Sequence, residues 1–307
     1  MKLITICIPT YNQCKSLKRL LNQILKYNPS NPIIISDNGS IDDTYKIVKN
    51  FSKRFKNLKY IKLKKNFGFD YNYLQCVKNV KTKYFWTIGS DDQIYKHSIE
   101  YLEKLIYNLN YPDGITFLDE KNSYKKKLKK NAIQFDLYKH GNLLGTISLN
   151  IVKKTTYNSN SNVKKNCGYI QLYFAIKSII KTNNWFLILK NNIAKIDYFS
   201  IKRFDEKKNL DRLYKEINGY NFHINKLIKN KENQLTYKKL IFKRNIRPWI
   251  FQNLESISKK DKILKILNKN SNQLTQIYQY KLIKIFIFLI PLFLIKKIIY
   301  LKRIVFN

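Results

Sequence analysis

The sequence predicts an α/β protein built on a doubly wound sheet, and three features predict it. Short apolar, β-branched runs recur through the first ~120 residues, stretches of helical periodicity separate them, and polar clusters stand where the runs end. Leu3 to Ile8 is the first run; closed by Pro9, it reads as a buried parallel strand. Leu17, Leu20, Leu21, Ile24 and Leu25 then recur at the spacing of one helix face. Pro32 leads into Ile33 to Ser36, a second buried strand, and Asp37-Asn38-Gly39-Ser40 makes a turn. Ser40, with Asp43 three residues on, reads as the cap of a helix running to about Phe51. A third strand over Leu58 to Leu63 precedes a helix through Tyr73, Leu74, Val77 and Val80. A fourth strand, Tyr84 to Ile88, ends at Gly89-Ser90-Asp91-Asp92. A helix marked by Ile99, Leu102, Leu105, Ile106 and Leu109 and a fifth strand over Ile115 to Leu118 complete the alternation. Ligands of such sheets sit beyond the carboxyl ends of the strands. Thr10-Tyr11-Asn12, Ser36-Asp37-Asn38 and Ser90-Asp91-Asp92 all fall there.

Beyond Asp119 the alternation weakens. Lys125 to Lys130 reads as a hairpin tip or loop, Tyr169 to Ile180 as a buried helix, and the chain from about Lys202 as mostly helical and Lys-rich. The expected organisation is a catalytic domain over 1–200, with a nucleotide-binding part over 1–120 and an acceptor part over 121–200. A helical extension over 201–275 and a basic membrane-associating segment over 276–307 follow. That last segment holds the apolar run Ile285 to Ile295, flanked by Lys281, Lys284, Lys296, Lys297, Lys302 and Arg303. Crossing a bilayer takes ~20 apolar residues, so an interfacial helix with snorkelling lysines fits the run better than a span, the other reading being a helix packed on the catalytic domain.

The formal net charge of +39 invites a nucleic-acid reading, but only seven of the 59 basic residues are Arg. Arg is the side chain suited to bidentate base and phosphate readout, and the charge is spread along the chain. The expected anionic partner is a membrane surface and not a nucleic acid. Cys7, Cys14, Cys76 and Cys167 form no CxxC pair and do not cluster with the three histidines, which argues against a zinc site or a disulfide framework. Cys7 and Cys76 read as small core residues. No segment has the pattern of a signal peptide, so the expected location is the cytoplasm, peripheral to the inner face of a bacterial plasma membrane. No G-x-G-x-x-G follows the first strand and no P-loop is present, which removes support for a dehydrogenase or a P-loop nucleotide enzyme. The Asn38-Gly39-Ser40 sequon falls inside the expected site and reads as chance.

Carboxylates at a strand end beside small residues suit a divalent ion that bridges two phosphates, because such ions take hard oxygen ligands. Gly89-Ser90-Asp91-Asp92 has that composition, and Asp37 at the end of the second strand is placed to read a base or ribose. Taken together, Ile8-Pro9-Thr10-Tyr11-Asn12, Ser36 to Thr44, Asn66-Phe67-Gly68-Phe69 and Gly89-Ser90-Asp91-Asp92 resemble the family 2 glycosyltransferases. The resemblance covers roughly the first 120 residues. It implies the GT-A fold, a Rossmann-like doubly wound mixed sheet, here with a helical C-terminal extension. The segment Asn66-Phe67-Gly68-Phe69-Asp70-Tyr71-Asn72 is similar to a subgroup that builds bacterial surface polysaccharides such as lipopolysaccharide and capsule, including abequosyltransferase-like enzymes.

The resemblance implies inverting, metal-assisted transfer from a nucleotide-sugar donor to a glycan or lipid-linked glycan acceptor. Pro9, Tyr11 and Asp37 would line the nucleobase pocket, with Thr10, Asn12, Asn38, Asn66, Gly68, Asp70, Asn72 and Ser90 as further donor-binding residues. The family's Asp-X-Asp motif falls on Gly89-Ser90-Asp91, so its first acid is absent here; Asp91 keeps the position that binds Mg²⁺ or Mn²⁺, and Asp92 assists. Many members carry a Glu-Asp pair in the acceptor half whose Asp is the base, whereas Gly168-Tyr169-Ile170-Gln171-Leu172 has no acid. Asp119, at the end of the fifth strand, is then the candidate base, with Asp136 and His140 behind it. The alternative is a nucleotide-sugar-binding protein on the same fold without activity.

Overall fold

The computed structural model describes residues 2–27, 30–118, 133–157, 168–190, 192–197, 206–247, 250, 260–269 and 278–289. Asp119, the basic run Lys125 to Lys130 and the chain beyond Leu289 lie outside these residues. The chain forms two compact units. One comprises Met1–Asn166 and Ile170–Ser200, the other Cys167–Tyr169 and Ile201–Asn307.

In the first unit the strands are β1 (Ile4–Thr10), β2 (Ile33–Asp37), β3 (Leu58–Lys62), β4 (Tyr84–Thr87), β5 (Gln93–Ile94), β6 (Gly114–Phe117), β7 (Ile133–Gln134), β8 (Asn150–Lys153), β9 (Trp185–Ile188) and β10 (Ala194–Lys195). Helices α1 (Cys14–Tyr27), α2 (Thr44–Ser52), α3 (Phe69–Lys78), α4 (Ser98–Asn108), α5 (Leu137–His140) and α6 (Ile170–Thr182) connect them. The main sheet has the order β3-β2-β1-β4-β8-β6-β9-β7, and β5 pairs with β10 in a separate ribbon. β3, β2, β1 and β4 run parallel. β8 lies antiparallel between β4 and β6.

All five expected strands are present, as β1, β2, β3, β4 and β6, and the buried helix expected from Tyr169 is α6. The runs of β1 and β2 became central strands with both faces covered, every residue of them buried, whereas β3 stands at the sheet edge. Leu17, Leu20, Leu21 and Ile24 turn the apolar stripe of α1 into the core. Each such side chain contributes about 1.5–3 kcal/mol by leaving water. Cys7 and Cys76 are buried free thiols, as their apolar settings implied.

The cap of α2 differs from expectation. Ser40 does not cap it; its hydroxyl accepts the Asn12 N–H at 2.9 Å. Asp42 takes over the local donors, accepting the Thr44 N–H at 3.1 Å and the Thr44 hydroxyl at 2.5 Å. A carboxylate two residues before the helix reaches those groups first, which frees Ser40 for the loop after β1.

The second unit is helical over its described residues, with α7 (Glu206–Leu227), α8 (Lys231–Ile241), α9 (Lys260–Lys269) and α10 (Tyr278–Leu289). Asn230 caps α8 by accepting the Asn233 N–H. The Tyr280 hydroxyl on α10 donates to the Leu267 carbonyl on α9. Among the described residues no helix is long and apolar enough to cross a membrane.

Candidate functional site

The carboxyl ends of β1 and β2 and the start of α3 form one hydrogen-bonded network. Asn12 adopts φ +52°, and its side-chain oxygen accepts the Ile41 N–H at 2.9 Å. The Asn38 N–H binds the Thr10 carbonyl. The Asn38 amide donates to Asn66 Oδ1 at 2.9 Å and to the Gly68 carbonyl at 3.2 Å, while its oxygen accepts the Phe67 N–H. Asn66 Oδ1 also accepts the Gly68 N–H. Gly68 itself holds φ +87°, a conformation glycine adopts at little cost, and launches α3. Asn72 donates to the Thr10 carbonyl at 3.3 Å. The expected residues Thr10, Asn12, Asn38, Asn66, Gly68 and Asn72 are therefore brought together, with Pro9 buried in β1 and Tyr11 standing partly exposed beside them.

Asp37 is wholly buried. Its Oδ1 accepts the Ser40 N–H at 2.8 Å and its Oδ2 the Tyr60 hydroxyl at 2.6 Å. Burial and the adjacent Asp37 carboxylate push the Tyr60 phenol well above its ordinary value, so Tyr60 stays a donor. In this arrangement the Asp37 carboxylate organises the turn from inside. Ser40 reads in the sequence as a helix cap and not as a partner of Asp37, and Tyr60 carries no pattern that marks it.

The turn after β4 separates its two acids. Asp92 faces inward: Oδ2 accepts the Ser148 hydroxyl and Oδ1 accepts the Asp197 N–H at 2.8 Å. Burial raises its carboxyl to about 6, against the pull of the Ser148 and Asp197 hydrogen bonds. Ser148 also accepts the Gly89 N–H at 2.8 Å, so one hydroxyl fixes both ends of the turn. Ser90 is buried and donates to Gln13. Asp91 stays partly exposed, and its carbonyl accepts Arg19 Nη2 at 2.5 Å. Arg19 also lies 3.7 Å from the Asp197 carboxylate. A Cβ at Gly89 would stand 2.9 Å from Asp91 Oδ1 and 2.9 Å from Asp92 Oδ2, so the turn leaves little room for the missing first acid.

Among the described residues no three His, Cys, Asp or Glu side chains gather as a complete metal site. One partly exposed carboxylate does fit Mg²⁺ or Mn²⁺ bound in the manner usual for such ions, through one or two protein carboxylates with substrate phosphates and water completing the shell. Asp91 is that carboxylate. Both oxygens of Asp92 already serve the fold.

The acceptor-side candidates separate. Asp136 is a helix cap, accepting the Tyr138 and Lys139 N–H groups at the start of α5. His140 is buried, and burial with Lys139 nearby pulls its imidazole below the ordinary value. Asp70 is not on the donor side alone: its carboxylate reaches the first residue of α6, accepting the Ile170 N–H at 3.2 Å.

Comparison with known proteins places this geometry. The model of the family "Glycosyl transferase family 2" matches residues 5–175. Abequosyltransferase RfbV of Salmonella typhimurium is 37% identical over 105 residues, which are 33% of this chain and 32% of that protein. The uncharacterized glycosyltransferase MG060 of Mycoplasma genitalium is 29% identical over 142 residues, 44% of this chain and 41% of that one. The matched stretch thus spans less than half the length of either relative. Among solved structures, S. aureus TarS (residues 1–349) superposes with a TM-score of 0.65 at 14% identity, covering 90% of this chain and 81% of that one. The mannosyltransferase PcManGT from Pyrobaculum calidifontis, in complex with GDP-Man and Mn²⁺, gives 0.57 at 12% identity, with 96% and 86% covered. Likenesses at such identity are likenesses of fold, and the fold is GT-A, followed by C-terminal helices.

Proposed function

The chain belongs to glycosyl transferase family 2, and from that premise we propose that it moves a sugar, with inversion, from a nucleotide-sugar donor to a hydroxyl of a glycan. The turn Gly89-Ser90-Asp91-Asp92 carries the reading. It turns one carboxylate inward to hold the backbone and leaves Asp91 partly exposed at the sheet edge where ligands of doubly wound folds bind. Asp91 would hold Mg²⁺ or Mn²⁺ together with the donor's phosphates, and the ion supplies positive charge that favours departure of the diphosphate. Thr10, Asn12, Asn38, Asn66 and Gly68 form the floor on which the nucleoside rests, with Tyr11 beside it.

The same reading gives the acceptor as a lipid-linked oligosaccharide of bacterial surface polysaccharide synthesis. The similarity to an abequosyltransferase and the excess of lysine, which would draw the enzyme to an anionic membrane surface from the cytoplasmic side, support it. A second reading, donor binding without transfer, draws on the absence of an acid in Ile170-Gln171-Leu172. Turnover separates the two.

The test is nucleotide release from a panel of UDP-, GDP-, CDP- and dTDP-sugars, with Mn²⁺ or Mg²⁺ and then with chelator. Metal-dependent release from one donor is expected, falling about 100-fold in Asp91→Ala while circular dichroism stays unchanged. Equal donor affinity in Asp91→Ala would remove the metal assignment. Donor binding with no release would favour the second reading.

A further inference from the structure

Nine large apolar side chains stand exposed among the described residues. Four of the nine, Tyr11, Ile41, Tyr45 and Phe69, lie in the connections that follow β1, β2 and β3. Those strands are parallel, so the three connections leave the same edge of the sheet. They also touch one another. Asn12 accepts the Ile41 N–H on its side-chain oxygen and gives its own N–H to the Ser40 hydroxyl. Asn38 holds Asn66, Phe67 and Gly68, and a Cβ on Gly39 would meet the Lys65 main chain at 2.6 Å. A single exposed apolar residue is ordinary on a protein surface, whereas several on neighbouring loops mark a contact surface.

Ile41 is the sharpest case. It is 91% exposed, although its turn is firmly held. Besides the Asn12 contact, the next residue, Asp42, accepts the Cys14 N–H at the start of α1 at 2.9 Å and the Thr44 N–H at the start of α2 at 3.1 Å. A branched apolar side chain is thus presented to water by a turn fastened to two helices, and it adds almost nothing to the core. The cations around it are lysines. Lys62 Nζ lies 5.1 Å from the Tyr45 ring and Lys65 Nζ 5.5 Å from the Phe67 ring, while Lys15 and Lys64 are exposed. Asp43, exposed in the same turn, is paired with Lys46 at 2.9 Å. Protein interfaces favour arginine and are poor in lysine. Isoleucine and aromatic rings set among lysines suit instead the boundary between anionic headgroups and acyl chains.

We propose that this rim, Ile41, Tyr45 and Phe69 with the lysines around them, docks the protein on an anionic lipid bilayer, with Ile41 entering the acyl boundary. The proposal deepens the membrane-surface part of the proposed function and rests on that part alone. Asn12, Asn38, Asn66 and Gly68, which hold the rim, also belong to the floor proposed for the nucleoside. Docking there sets the donor beside the headgroups, at the level where a lipid-linked acceptor presents its sugar.

The test uses the full chain and two sets of vesicles, phosphatidylcholine alone and phosphatidylcholine with about one third phosphatidylglycerol. Cosedimentation with the anionic vesicles is expected at about 0.15 M salt, and little with the neutral ones. The double variant Ile41→Ser/Phe69→Ser should partition about 10-fold less, with donor affinity in vesicle-free solution unchanged. Ile41→Trp should be quenched by brominated acyl chains beyond the quenching of the native tryptophans in the wild type. An unchanged partition of the double variant overturns the proposal. So does an Ile41→Trp chain that binds vesicles with no added quenching, because another face then meets the lipid. Weaker donor binding by the double variant in vesicle-free solution gives the rim to the donor pocket and also overturns it. Should the double variant lose cooperative unfolding, the quenching alone decides. A wild type that ignores anionic vesicles overturns the proposal; if it self-associates and the double variant does not, the rim is a contact between copies of this chain. Docking through the rim with no nucleotide release from any donor supports the surface and defeats the transferase reading.

Discussion

The turn after β2 and the turn after β4 lie on the same edge of the sheet and share a design. Each has a glycine with no space for a Cβ and an aspartate engaged on both oxygens. They are braced differently. Gly39 stands at φ +76° with the Lys65 carbonyl carbon 2.6 Å from where a Cβ would be, and Asp37 is held by Ser40 and Tyr60. Backbone meets backbone there, and every partner lies within the first 72 residues. Gly89 faces only the carboxylate oxygens of Asp91 and Asp92, and Asp92 is held by Ser148 and Asp197, 56 and 105 positions away. The turn after β2 is fixed by nearby parts of the chain, whereas the acidic turn is fixed by a side chain and a backbone N–H arriving from distant parts of it.

That contrast sets an order of sensitivities. The largest loss is expected for Gly39→Ala, where a left-handed backbone and a clash with main-chain atoms combine; urea unfolding should show a loss of about 3 kcal/mol. A loss under about 1 kcal/mol would mean that the first turn yields as easily as the second. Ser148→Ala comes next. It strips a partner from both the Gly89 N–H and the buried Asp92 carboxylate, so stability should fall by about 2 kcal/mol and metal-dependent donor affinity with it. Full affinity in that variant would show that the acidic turn holds its shape without the distant brace. Tyr60→Phe removes one hydrogen bond to Asp37 and keeps the ring; about 1 kcal/mol of stability and a rise in donor KM are expected. Arg19→Ala should do least, about 0.5 kcal/mol, because its hydrogen bond to the Asp91 carbonyl is made at the surface, its contact with Asp197 is long and the side chain is 43% exposed. A larger loss would make the Arg19 hydrogen bond to the Asp91 carbonyl as important to the acidic turn as Ser148.

The strands, the face of α1 and the polar residues that join in the network after β1 and β2 are legible because each depends on neighbours in sequence or on periodicity. Ile4, Ile6 and Ile8, or Leu17 and Leu21, announce their burial by pattern. Asp91 and Asp92 could be found as a pair but not told apart, since what separates them is Ser148 and the Asp197 backbone. β8, only four residues long, has no periodicity to betray it. Ser40 has the pattern of a cap, but Asp42, closer to the helix, takes the Thr44 N–H instead. Asp70 sits in a motif that reads as donor-binding, and nothing in that motif shows that Ile170 will lie 3.2 Å away.

The place of β8 also bears on how the protein is made. Residues 2–118 carry β1 to β4 and β6, yet β4 and β6 do not pair with each other. Both keep an open hydrogen-bonding edge until residues 150–153 emerge and slide between them. For that interval the nascent chain carries one adhesive border on β4 and two on β6, which also awaits β9, and a fragment ended at Leu118 would retain them for good, prone to join its neighbours edge to edge.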